Sequence, residues 1–143
     1  MIYLDTSALL KLHFLEAGSV EVQALISSQS SPLPIWNLQE MEFANALRLK
    51  VFWKQISESD ADAQFDHFKR RKSSGFYYTP EISRSDLLDR YLRLTAHTAQ
   101  LGCRTLDIQH VAAAVIIGAT LFVSFDNRQR QLAELAGLKV QAL

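Results

Sequence analysis

The chain opens on a short apolar run, Met1 to Leu4, meets one carboxylate at Asp5, and passes at once into the helix-favouring Thr6-Ser7-Ala8-Leu9-Leu10. An unbroken apolar run of that length reads as a strand buried on both faces, as inside a parallel sheet. Asp5 or Thr6 can cap a helix running to about residue 13, and Gly18 with Ser19 breaks and restarts it over 20–28. A polar turn over 27–34 leads to a short strand at 33–36. Helical spacing then predicts a long helix over 37–55, with Asn37 and Glu40 spaced as a capping box.

Ser57 with Asp60, or Ser59 with Asp62, opens the next helix, which turns Phe65 and Phe68 inward and ends in Lys69-Arg70-Arg71-Lys72. That basic run reads either as a solvated last turn complementing the helix dipole or as a phosphate-contacting patch. Residues 76–79 form an aromatic extended link closed by Pro80. Ser83 with Asp86 opens a helix whose body covers 87–101, and Gly102 ends it. The stretch 105–118 is nearly all apolar after its first turn, and its small residues allow close approach to a sheet. The clearest strand, 120–125, runs straight into Asp126; a helix over 127–136 and a last short strand at 138–140 follow. Strands alternating with helices imply an α/β fold, a mostly parallel buried sheet with helices on both faces.

Composition narrows this picture without redirecting it. At 143 residues, 48% hydrophobic and 21% charged, the chain suits one domain over 1–143 with a sizeable core. Lys plus Arg equals Asp plus Glu at 15 each, so no global field draws nucleic acid or membrane, and any polyanion must meet a local patch. The single cysteine, Cys103, allows no intrachain disulfide and fits a reducing compartment. No apolar run reaches the roughly 18 residues of a membrane span, and no signal-peptide pattern opens the chain. A cytoplasmic protein without membrane contact is expected.

The acids carry the candidate chemistry. Asp5 follows the first strand, Asp126 follows the strand at 120–125, and Asp107 lies in the first turn of the helix before that strand. Glu42 has no capping job and falls among apolar neighbours on its helix, where a lone carboxylate is costly; it is either functional or a half-solvated helix residue. Asp5 and Asp126 can each be helix caps, and Asp107 can merely favour the positive helix end. Strand-to-helix junctions of a parallel sheet share one edge, however, so these acids should converge on one cleft. Four carboxylates at close range repel one another, and a hard divalent cation such as Mg²⁺ resolves the conflict. Such an ion most naturally serves phosphoryl chemistry.

Four segments together resemble the PIN-domain ribonucleases: Leu4-Asp5-Thr6-Ser7-Ala8-Leu9, Glu42-Phe43-Ala44-Asn45-Ala46-Leu47, Leu106-Asp107-Ile108-Gln109-His110-Val111, and Phe122-Val123-Ser124-Phe125-Asp126-Asn127. The likeness is nearest to the VapC-type toxins of bacterial toxin–antitoxin pairs and covers essentially the whole chain. It implies a PIN-like three-layer α/β/α domain with a central, mostly parallel, short-stranded sheet. It implies a Mg²⁺- or Mn²⁺-dependent endoribonuclease whose catalytic and metal-holding quartet is Asp5, Glu42, Asp107 and Asp126. It further implies a supporting hydroxyl at Thr6 or Ser7, with Ser124 near the fourth acid, a homodimer, an RNA substrate and a cognate antitoxin protein. His110 stands where an apolar residue is frequent; it reads as a satisfied helix histidine or as a residue touching the site. Arg104, Arg128 and Arg130 flank the acids in sequence and are candidates for holding RNA, or are ordinary surface charges.

Three rivals compete. A haloacid-dehalogenase-type phosphatase wants a second Asp where Ser7 stands. A receiver-type binding domain wants paired acids near the start, where Asp5 is alone. A catalytically inactive PIN-like scaffold binding RNA or protein would lack a reason to carry all four acids.

Overall fold

The computed structural model describes residues 1–141. β1 (Ile2–Leu4), β4 (Leu121–Val123) and β5 (Lys139–Gln141) form a parallel sheet with β4 in the middle, and β2 (Leu33–Pro34) pairs in parallel with β3 (Tyr77–Tyr78). Tyr3 is in register with Phe122, and Leu4 with Val123. The helices are α1 (Thr6–Leu10), α2 (Ser19–Ser27), α3 (Asn37–Phe52), α4 (Glu58–Ser73), α5 (Arg84–Leu94), α6 (Thr98–Leu101), α7 (Thr105–Ile116) and α8 (Asn127–Leu135).

Side chains alternate across a strand, and that alternation divides the core in two. Ile2, Leu4 and Val123 enter one cluster with Leu9, Val22, Phe43, Leu47 and Phe68, contributed by α1 to α4. Tyr3 and Phe122 enter the other with Leu94, Ile108, Val111, Leu132 and Ala133 from α5, α7 and α8. The result is helices on either side of a central parallel sheet, a three-layer α/β/α arrangement. Tyr3 and Phe122 stack with ring centroids 5.5 Å apart and are fully buried. The small run Ala112-Ala113-Ala114 is likewise fully buried, which lets α7 approach closely. No helix among the described residues is long and apolar enough to cross a membrane.

Several local expectations shift. The capping box of α3 is built one residue earlier: Gln39 Oε1 accepts from the Trp36 backbone N–H at 2.9 Å, while Glu40 pairs with Lys72 at 2.5 Å. Gln39 has a second use, donating to the Leu4 carbonyl at 2.6 Å and so tying α3 to the end of β1. The helix expected over 87–101 is broken by a 3₁₀ turn over Thr95–His97. Residues 77–78 pair as a strand, although the run reads as a link, because β2 supplies an edge to bond. β4 stops at Val123 because the Ser124 hydroxyl accepts the Asp126 N–H at 2.9 Å and turns the chain. The basic run is largely engaged within the chain: Lys69 pairs with Asp66, Lys72 with Glu40, and Arg71 donates to the Tyr77 hydroxyl.

Candidate active site

The carboxyl ends of β1 and β4 lie side by side, with the Asp5 N–H donating to the Val123 carbonyl at 3.0 Å. Past this edge opens a cavity of about 450 Å³ lined by Asp5, Thr6, Ser7, Glu42, Asp107 and Asp126, together with Arg104, His110 and Gln129. All four acids singled out in the sequence therefore face one space, although 121 residues separate the first from the last in the numbering.

Each acid is held differently. Asp5 is 2% exposed and caps α1: its Oδ1 accepts from the Ala8 N–H (2.8 Å) and the Ser7 hydroxyl (2.7 Å), and its Oδ2 from the Ser124 hydroxyl (2.6 Å). Burial still wins, raising its carboxyl above the ordinary value against those three donors. Glu42 projects from α3, and its Oε2 accepts from Thr6 (2.5 Å) and meets His110 Nε2 (2.6 Å). Burial opposes the Glu42 charge, yet His110, through its hydrogen bond and its electrostatic attraction, and then the Thr6 hydroxyl outweigh it and hold the carboxyl below its ordinary value. Asp107, in the first turn of α7, accepts from the Arg104 backbone N–H (2.8 Å) and side chain (3.3 Å) and from Gln129 Nε2 (3.1 Å). Asp126 caps α8, with Oδ1 accepting from the N–H groups of Arg128 and Gln129.

The two supporting hydroxyls divide the work: Thr6 serves Glu42 and Ser7 serves Asp5. Ser124 bridges Asp5 and Asp126. Of the three arginines, Arg104 lines the cavity with a largely exposed side chain. Arg128 and Arg130 instead donate to the carbonyls of Gly102 and Ser124. Gln129 escaped the sequence reading as a site residue; its position three after Asp126 is the one signal that could have found it.

Among the described residues no three His, Cys, Asp or Glu side chains form a preassembled group for a metal ion. The donors present are nonetheless those of a hard cation. All four are carboxylates, and the hydrogen bonds on Glu42 and Asp126 fall on Oε2 and Oδ1, leaving one oxygen of each unengaged among the described residues. Gln129 Oε1, buried at the same cavity, also has no hydrogen-bond partner among the described residues. Mg²⁺ usually keeps several waters and takes only one or two carboxylates plus substrate phosphate. Carboxylates around an open cavity, with an orphaned buried acceptor among them, fit that habit.

The sequence profile of the PIN domain matches residues 2–135, nearly the full chain. No curated protein matches it.

Proposed function

The chain belongs to the PIN-domain family, a nuclease fold, and from that membership we propose that it is a Mg²⁺- or Mn²⁺-dependent endoribonuclease. The observation carrying this reading is the convergence of Asp5, Glu42, Asp107 and Asp126 on one cavity. These four would hold the ion; when bound, it supplies Lewis acidity at the scissile phosphodiester and lowers the pKa of water. The rest falls to the chain itself. Ser7, Ser124 and the Ala8 N–H fix the Asp5 carboxylate in one orientation, and Thr6 and His110 fix Glu42. Arg104, exposed at the rim, offers its guanidinium to an RNA phosphate. Water rather than the neighbouring 2′-hydroxyl is the nucleophile, so products carry a 5′-phosphate.

The biological setting we propose is the toxin half of a type II toxin–antitoxin pair, acting in the cytoplasm as a homodimer and restrained by a cognate antitoxin. Support comes from exposed apolar side chains on α5, Leu88 and Leu92, which suit cover by protein. The inactive-scaffold alternative is not better supported, because all four acids meet at one cavity.

Purified protein should cleave RNA with Mg²⁺ and not with EDTA, and Asp5→Ala should abolish both cleavage and growth arrest on expression while leaving the circular dichroism spectrum unchanged. Cleavage by Asp5→Ala at the wild-type rate would remove Asp5 from the site. Products ending in 2′,3′-cyclic phosphate would overturn the water-attack mechanism.

A further inference from the structure

We propose that Trp36, Tyr3 and His110 form a buried hydrogen-bond relay that locks one tautomer of the His110 ring and thereby positions the Glu42 carboxylate. The residues come from three elements: Trp36 precedes α3, Tyr3 is the middle of β1, and His110 lies on α7. Trp36 Nε1 donates to the Tyr3 hydroxyl at 2.8 Å, the Tyr3 hydroxyl meets His110 Nδ1 at 2.9 Å, and His110 Nε2 meets Glu42 Oε2 at 2.6 Å. Tyr3 is fully buried and His110 is 2% exposed, so water cannot complete either group.

Proton counting settles the direction of every bond. An indole N–H only donates, so the Tyr3 oxygen accepts from Trp36. The one Tyr3 proton then needs an acceptor, and among the described residues His110 Nδ1 is the group in reach. A buried hydroxyl proton left unpaired is costly, because it has given up water for nothing. Nδ1 therefore carries a lone pair, the ring proton sits on Nε2, and Nε2–H donates to Glu42. Glu42 is thus held through Oε2, and Oε1 is the oxygen left to the cavity. In this arrangement Tyr3, His110 and Trp36 are positioning residues: they act through Glu42 and touch no substrate.

The relay rests on the nuclease reading for its consequence in catalysis but not for its existence, and two measurements separate them. In protein labelled with ¹⁵N-histidine, His110, assigned by the signal lost in His110→Gln, should show a pyrrole-type Nε2 and a pyridine-type Nδ1. Tyr3→Phe keeps the stack on Phe122 and deletes only the hydroxyl, and it should disturb that pattern. In RNA cleavage, Tyr3→Phe and His110→Leu should lower kcat on the order of 10- to 100-fold with KM unchanged, the range for losing a group that orients a ligating side chain. His110→Gln places an amide N–H where Nε2–H stood and should recover most of the loss. A wild-type ring with its proton on Nδ1, or on both nitrogens, overturns the relay. So does a Tyr3→Phe protein with unaltered resonances and unaltered kcat. If the wild-type protein cleaves no RNA, the nuclease reading falls and the tautomer alone decides the relay.

Discussion

His13, at the end of the turn that follows α1, should make this protein lose stability in mild acid. Its Nδ1 meets Gln64 Oε1 at 3.3 Å and its Nε2 meets the Tyr77 hydroxyl at 3.0 Å, while Arg71 donates to that same hydroxyl at 3.1 Å. Arg71 can only donate, so the Tyr77 proton goes to Nε2 and the ring is neutral with its proton on Nδ1. Burial, and then the positive charge of Arg71, push the His13 pKa down from 6.5 to about 3. The unfolded chain therefore takes up a proton that the folded chain refuses. Stability contributed by neutral His13 is complete above the unfolded pKa and falls as pH drops through the window between 6.5 and about 3. At about 1.4 kcal/mol per pH unit, going from about pH 7.5 to about pH 5 costs about 2 kcal/mol. Urea denaturation of wild type and His13→Gln at both pH values isolates this, because every other titrating group is common to the two. Wild type should lose about 2 kcal/mol more than the variant, a midpoint shift of about 1 M for a chain of this size. Equal losses in the two proteins would refute the neutral, half-buried histidine.

Three further outcomes concern the site. Ser124→Ala removes the donor to Asp5 Oδ2 and the acceptor of the Asp126 N–H together; RNA cleavage should fall about 10- to 100-fold and unfolding free energy by about 1–3 kcal/mol, read by kinetics and urea titration. Gly18→Ala places a Cβ 2.5 Å from the Phe125 ring at a residue with φ of +85°, so Phe125, sandwiched in sequence between Ser124 and Asp126, must move. Thermal melting should show about 1–3 kcal/mol of destabilisation, and cleavage should drop with it. Arg104→Ala should raise KM for RNA and reduce the slope of log affinity against log salt by about one, with kcat little changed; an unaltered salt slope would take Arg104 off the phosphate backbone.

The acids were legible because local patterns carry them. Asp5 and Asp126 each end an apolar run and begin a helix, and parallel topology brings such junctions to one edge whatever the loops do. Glu42 was legible for a different reason: it interrupts apolar neighbours on its helix without a capping role. The reach of this reasoning ends where a contact depends on side-chain direction across layers. His110 is 107 residues from Tyr3 in sequence, and nothing in either neighbourhood announces that Nδ1 finds that hydroxyl. The cap fell to Gln39 because Trp36, three residues before it, is the N-cap, while Glu40 pairs with Lys72 of α4. Arg128 and Arg130 flank the acids along the chain, yet local backbone carbonyls capture both guanidinium groups.

The gathered carboxylates raise the question of how the fold tolerates them with no preassembled group of metal-capable side chains among the described residues. The answer lies in giving each acid its own donors in place of one shared counter-charge. Asp5 has two hydroxyls and an N–H, Glu42 a hydroxyl and an imidazole, Asp107 an arginine and an amide, Asp126 two N–H groups at a helix start. Most of these donors are neutral, so they orient the carboxylates and lower the cost of their burial while leaving the negative charge of the cavity nearly whole. A site satisfied by lysines would be more stable and would have no need of a cation; this one keeps its appetite for positive charge. Among the described residues the exposed Arg104 is the one Lys or Arg side chain bonded to these acids, and its guanidinium can turn to a phosphate while its backbone N–H keeps hold of Asp107. The backbone N–H at 2.8 Å is the shorter hold on Asp107 and the guanidinium at 3.3 Å the longer one, so the side chain can exchange that acid for a substrate phosphate without releasing it.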